Sequence, residues 1–306
     1  MNIAYQYILN DCRGKKLYLL MIVFLLPFHI LFSQQDTLHP KRLKTVLTLE
    51  SVGYVGVMTG LNSIWYDSHL TCDFHTVNDN ANFEQMDKVG HSMTAYYVGL
   101  VGYEALKWSG VERKKAIWYG GSLGSIFLSS VEIFDGFSPD YGCSWGDVVA
   151  NTLGTGMFIG QQLGWDEQRI LLKYSYHKTK YIDMRPNLFG TNLIENATLD
   201  YNGQTYWASV NVASFLKGDS KFPKWLNVAV GYGAEGMVER GAINVNNPEI
   251  RRYRQYYLSL DVDLTKIKTK SAFLNTFFGV FGFVKFPLPT VEFNQGGETK
   301  FYGFYF

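Results

Sequence analysis

The hydrophobic pattern of this 306-residue chain changes period near residue 165. Before that point the apolar residues come in four runs, at about 43–66, 83–108, 115–134 and 146–164, whose lengths fit helices better than strands. After it they alternate with polar residues. Ile170, Leu172, Tyr174 and Tyr176 do so, as do Leu226, Val228, Val230 and Tyr232. The alternation is clearest in Tyr256, Leu258, Leu260, Val262 and Leu264, set against Gln255, Ser259, Asp261 and Asp263. Period two marks strands with one apolar face. Residues 204–216 and 301–306 are further strand candidates. Asn202-Gly203, Lys217-Gly218-Asp219, Asn246-Asn247-Pro248 and Gly296-Gly297 supply turns between them. An apolar stretch with basic edges, 271–286, reads as one more helix ahead of Pro287.

The expected fold is therefore α+β: an N-terminal four-helix apolar bundle, then a C-terminal antiparallel sheet of about five or six strands with one further helix. Phe306, after Tyr302 and Phe304, resembles the aromatic last strand of outer-membrane barrels. Five or six strands fall short of the eight or so that a closed barrel needs. The sheet is expected instead to lay its apolar face on the helices.

The N-terminus reads as an export signal. Arg13, Lys15 and Lys16 precede an apolar run at 17–32, and Ser33-Gln34-Gln35 offers a cleavage point. The run is short for a membrane span and polar sequence follows it, which favours cleavage over a retained anchor. No lipobox cysteine stands at the junction, since Cys12 lies before the apolar run. The expected organisation is an export signal at 1–33, the bundle at 34–164 and the β-rich region at 165–306. Export leaves Cys72 and Cys143 in an oxidising compartment, as one disulfide or as two free thiols.

Composition agrees with an envelope location. Charged residues are only 18% of the chain, while aromatics reach 16%, with 21 Tyr and 22 Phe. Such a balance suits a membrane or interface environment. The 28 basic and 27 acidic residues nearly cancel, so bulk charge gives no argument for nucleic acid. Small residues recur four apart at Gly56 and Gly60, at Gly120 and Gly124, and at Gly156, Gly160 and Gly164, a spacing that lets helix backbones approach.

Short links between helices join antiparallel neighbours. The end of the first helix, the start of the second, the end of the third and the start of the fourth then share one pole, with Cys72 and Cys143 in its loops. The opposite pole is basic, carrying Lys41, Arg42, Lys44, Lys107, Arg113, Lys114 and Lys115. In the inner membrane that pole would face the cytoplasm, which a cleaved signal forbids. The bundle is therefore expected at or partly within a membrane surface beyond the inner membrane.

Three polar pairs stand at the first pole: Asp87 with His91, Glu132 with Asp135, and Asp147 with Asn151. Residues three or four apart share a helix face. A histidine among carboxylates in an apolar setting is what general acid–base chemistry or a metal needs. Each pair also has a structural reading. Ser144 and Asp147 form a capping box, Asp87 suits a first helical turn, and His91 is accounted for by a bond to Asp87. Glu132 and Asp135 oppose the dipole at a helix C-terminus, so they call for a cation such as Lys88, His91 or a metal. A structural polar network is the reading preferred over a catalytic one, no cofactor is expected, and a divalent metal at the acidic cluster is the exception left open. Cys-x-x-Cys pairs are absent from the sequence.

The blocks Asp87-Lys88-Val89-Gly90-His91, Glu132-Ile133-Phe134-Asp135-Gly136-Phe137-Ser138, Ser144-Trp145-Gly146-Asp147 and Asn151-Thr152-Leu153-Gly154 resemble the YfiM-like predicted periplasmic lipoproteins, a domain of unknown function. The block from Asp200 to Trp207 resembles longer envelope versions of that family. A fainter similarity points to VanZ-like membrane proteins. The resemblance implies an envelope location and brings no activity, and the missing lipobox departs from the family's lipid anchor. Three functions are consistent with these features. The first is a non-enzymatic exported protein of the periplasm or outer membrane, whose polar cluster braces the bundle or binds membrane lipid or another envelope component. The second is a membrane-proximal hydrolase or lipid-modifying enzyme using His91 with Asp87, Glu132, Asp135 or Asp147. The third is a pore or transport accessory.

Overall fold

A computed structural model describes residues 38–65, 72–217 and 220–306 of the chain; the expected export signal lies outside them. The four apolar runs form α1 (Pro40–Trp65), α2 (Met86–Trp108), α3 (Arg113–Asp135) and α4 (Trp145–Trp165). A two-residue parallel pair, β1 (Thr76–Val77) with β2 (Cys143–Ser144), ties the segment before α2 to the segment before α4.

The bundle core is Tyr96, Tyr103 and Leu106 of α2, Ala116 and Ile117 of α3, and Phe158 and Ile159 of α4, joined by Val46 of α1. Close helix approach depends on glycine. A Cβ on Gly124 would lie 2.0 Å from the Ala95 carbonyl oxygen, and one on Gly154 would lie 1.9 Å from that of Ser92. Gly120 is equally confined, whereas Gly56, Gly156, Gly160 and Gly164 face open space. The four-residue spacing thus brings backbones together at Gly120 and Gly124 and has no such role at those other positions.

The antiparallel arrangement follows the short links. At one pole the His39 N–H donates to the Ser109 carbonyl at 2.9 Å, and Arg113 pairs with Asp166 at 2.6 Å. This is the basic pole. The starts of α2 and α4 and the end of α3 meet at the other.

The period-two region forms one antiparallel meander of β3 (Ile170–Tyr176), β4 (Gln204–Asn211), β5 (Leu226–Glu235), β6 (Tyr253–Val262), β7 (Leu288–Asn294) and β8 (Thr299–Tyr305), in that order. Three short helices, α5 (Tyr181–Met184), α6 (Pro186–Phe189) and α7 (Leu193–Leu199), connect β3 to β4, and α8 (Ala272–Val280) precedes β7. The pattern does not reveal β7, because Pro289 argues against a central strand. The proline is accommodated at a register shift between Leu288 and Thr290.

The sheet curls far enough for the Tyr305 hydroxyl of β8 to lie 3.0 Å from Thr205 Oγ1 of β4. Its inner face is filled by Trp207, Tyr257 and Tyr305, and by polar side chains. Lys173 and Asp261 form a 2.7 Å ion pair with both side chains fully buried. The outer face of β3 and β4 rests on α2: the Tyr97 hydroxyl donates to the Leu172 carbonyl at 2.5 Å, and the Tyr206 hydroxyl fills the space beside Gly90.

Beyond β4 the outer face is uncovered except where Tyr232 and Arg254 meet the turn before α2. Along β6, Gln255, Ser259 and Asp261 are 4%, 4% and 0% exposed, whereas Tyr256, Leu258 and Leu260 are 49%, 48% and 44% exposed. Val230, Phe293, Phe301 and Phe304 continue this apolar outer surface. The expectation that the apolar face lies on the helices therefore holds for β3 and β4 and fails for β5 to β8. The helices cover part of the sheet's width, and the curl turns the polar face inward.

Candidate functional site

The polar pole is built from a strained turn, three helix ends and the β1–β2 pair. Phe83, Glu84 and Gln85 take φ of 47°, 50° and 63°, a left-handed turn immediately before α2. Side chains resist that region by roughly 1–2 kcal/mol per residue, so the turn needs external support. The sheet supplies it. Arg254 of β6 binds Glu84 at 2.8 Å and Gln85 at 2.8 Å, Tyr232 of β5 donates to the Glu84 carbonyl, and the Phe83 ring meets Tyr201 at 5.0 Å. The sheet thus fixes where α2 begins, and with it Asp87, Lys88 and His91.

Lys88 is the hub. Its Nζ lies 2.6 Å from Asp79, 3.0 Å from Asp147 Oδ2 and 3.4 Å from Asp87 Oδ2. The second oxygens of the latter two carboxylates, Asp87 Oδ1 and Asp147 Oδ1, each lie 4.0 Å from His91 Nε2. On the other side of the ring, His91 Nδ1 is 3.0 Å from Asn151 Oδ1. Tyr201 donates to Asp87 Oδ1 at 2.8 Å.

The capping box is divided between two acids. Ser144 Oγ accepts the Asp147 N–H at 3.2 Å, as an N-cap should. The reciprocal partner of the Ser144 N–H is Glu132 of α3, at 2.9 Å. Asp147 is thereby released to face Lys88 and His91. Ser144 Oγ in turn donates to Asp79 Oδ1 at 2.6 Å.

The electrostatics follow from burial and crowding. Burial pushes Glu132 up to about 7, against the bond from the Ser144 N–H and with the aid of the charge on Asp147. Protonation of Glu132 at the C-terminus of α3 relieves its opposition to the helix dipole. Burial also raises Asp147, against the pull of His91 and Lys88. For His91, burial works downward, yet the charges of Asp87, Asp147 and Glu132 raise it above the ordinary imidazole value. Asp79 is held below the usual carboxylate range because its bonds from Lys88 and Ser144 outweigh burial.

Five of the six residues singled out in the sequence, Asp87, His91, Glu132, Asp147 and Asn151, meet here. Asp135 is half-buried at the end of α3 and acts on Glu132 and Cys143 through its charge. Cys72 and Cys143 are both free, with Cys72 Sγ 3.5 Å from His75 Nδ1. The roles of Asp79 and Tyr201 were not read from the pattern. Tyr201 lies in the Asp200–Trp207 block, and Asp79 in the polar run Asn78-Asp79-Asn80, which carries no helical or strand period.

No curated protein and no solved structure matches this chain. Residues 77–159, which hold every side chain of the polar cluster except Tyr201, match the family described as Predicted periplasmic lipoprotein (DUF2279).

Proposed function

We propose that this protein is an exported envelope protein whose apolar outer surface lies against membrane lipid, the outer membrane being the membrane assigned. The observation that carries this reading is the inverted alternation of β6, with polar residues enclosed and apolar ones exposed. In water, the hydrophobic effect favours the reverse arrangement. Apolar-out and polar-in strands are the pattern of sheets solvated by lipid. The periplasmic family match supports export.

Two further features support it. Large apolar side chains are also exposed on the outward faces of the helices, among them Leu47 and Val52 of α1, Trp118 and Ile126 of α3, and Trp145 and Leu153 of α4. No helix among the described residues is long and apolar enough to cross a membrane, so this surface does not amount to a helical span. Charge at one pole suits an anionic headgroup layer. The loops after β4 and β6 lie side by side, since the Asp263 N–H donates to the Trp225 carbonyl at 2.8 Å. They carry Lys217, Lys221, Lys224, Lys266, Lys268 and Lys270, beside exposed Phe215, Trp225, Phe273 and Phe277. Lys266 pairs with Glu167 at 2.9 Å, which places these loops next to the basic end of the bundle. Lysines interleaved with aromatics are an interfacial pattern.

Flotation of the full chain with phospholipid vesicles tests the reading. The protein should rise with the vesicles, more strongly when anionic lipid is included. The paired changes Leu258→Asp and Phe301→Asp should reduce recovery in the lipid fraction several-fold. A wild-type protein that stays monodisperse without detergent and sediments away from vesicles would overturn the reading. So would a soluble oligomer that buries this face.

A further inference from the structure

We infer that Asp87, His91 and Asp147 form a binding site for one divalent transition-metal ion, with Asp87 Oδ1, His91 Nε2 and Asp147 Oδ1 as its ligands. This inference is independent of the lipid-facing reading. The ligand atoms of these three residues lie within 4.8 Å of one another, and Nε2 is 4.0 Å from each Oδ1. A point equidistant from all three lies near metal–ligand bond length, and a slight closure brings it to about 2.0–2.2 Å, the range of zinc with nitrogen and carboxylate ligands.

A cluster of acids alone would not carry this; the orphaned oxygen does. Asp147 is 4% exposed, and its Oδ1 has no hydrogen-bond partner while facing the imidazole. Leaving such an atom unsatisfied incurs the full desolvation penalty of the group, which is greater for a charged one. Lys88 does not relieve it, because its ammonium takes the Oδ2 atoms of Asp87 and Asp147. Charge points the same way: three carboxylates, Asp79, Asp87 and Asp147, surround one ammonium.

The surroundings are those of a supported ligand set. Asn151 Oδ1 accepts from His91 Nδ1–H, so in the neutral imidazole that binds a metal the lone pair sits on Nε2, which faces the two carboxylates. Tyr201 holds Asp87, and Lys88 and the Ser144 cap hold Asp147. The side chains of Asp87 and His91 are 28% and 20% exposed, so an ion can enter and keep a water ligand.

The test is zinc binding by the full chain, stripped with a chelator in mild detergent and titrated with Zn²⁺ alone. One equivalent should bind with micromolar or tighter affinity. His91→Ala and Asp147→Asn should each weaken binding at least ten-fold, while Glu112→Gln, exposed at the opposite pole, leaves it unchanged. Should either variant fail to fold, Co²⁺ loaded into the wild type gives a second readout. It should develop the visible absorption of a low-symmetry nitrogen–oxygen site, and one equivalent of Zn²⁺ should abolish it. Absence of stoichiometric Zn²⁺ binding by the wild type, or folded His91 and Asp147 variants that bind as it does, would overturn the inference.

Discussion

Asp261 inside the sheet and Asp147 at the helix ends are both buried carboxylates near a lysine, yet their surroundings differ. Asp261 is complete. Its Oδ2 meets Lys173 at 2.7 Å and Ser209 at 2.6 Å, and its Oδ1 accepts the Phe286 N–H at 3.1 Å. Asp147 shares its lysine with two other carboxylates and has one oxygen without a hydrogen bond. The first arrangement substitutes for solvent in a polar interior. The second is left open, and sequence blocks matching the periplasmic family converge on it. Burial alone therefore does not describe a buried polar group; how completely its partners satisfy it differs between the two sites.

The largest effect that would break this comparison lies in the sheet. Lys173→Met removes the ammonium paired with Asp261, leaving only the longer-range charge of Lys285, and should cost about 3–5 kcal/mol, read as a large fall in the unfolding midpoint in detergent. Adding Asp261→Leu should recover much of the loss. Lys173→Met leaving stability unchanged would show that the sheet interior is not the closed polar network described.

At the helix ends the sign reverses. Glu132 has its folded pKa raised from 4.5 to about 7, so folding favours its protonated form. That contribution is fully present below pH 4.5 and is lost as pH rises through 7. The raised values of His91 and Asp147 act in the same direction, and the lowered value of Asp79 acts against them. Stability should fall between pH 5 and pH 8 by on the order of 3 kcal/mol. Glu132→Gln should flatten that slope and be the more stable protein at pH 8. A wild type whose stability rises over this interval would contradict the assignment.

Smaller effects sharpen the packing side. Gly124→Ala drives a methyl into the Ala95 carbonyl and should cost roughly 1–3 kcal/mol. Gly160→Ala, with open space around it, should change stability by less than about 1 kcal/mol, in the stabilising direction that helix propensity favours. Denaturation of the two variants side by side decides whether the glycine spacing works at α2–α3 contacts alone.

The fold was legible where periodicity is strong. The four helices lie within a few residues of their apolar runs, and the strands of the meander follow the alternation. The short helices α5 to α7 and strand β7 were not, because four-to-seven-residue elements and a proline-bearing strand carry too little period. The convergence of Asp87, His91, Glu132, Asp147 and Asn151 followed from short links between antiparallel helices. Lys88 as the shared hub did not, since its reach to Asp79 and Asp147 depends on the left-handed turn at 83–85 that sets the start of α2. Which way the sheet faces was also hidden. Alternation states that one face is apolar, and the curl decides which face is enclosed.

Fluorophore labels at Leu258→Cys and Ser259→Cys, in a background with the native cysteines replaced by serine, test the lipid-facing sheet directly. In vesicles, brominated acyl chains should quench the label at 258 and leave the label at 259 unaffected, with aqueous iodide quenching neither. Quenching of the 258 label by iodide and not by brominated lipid would show that this face meets water, and the membrane reading would fall.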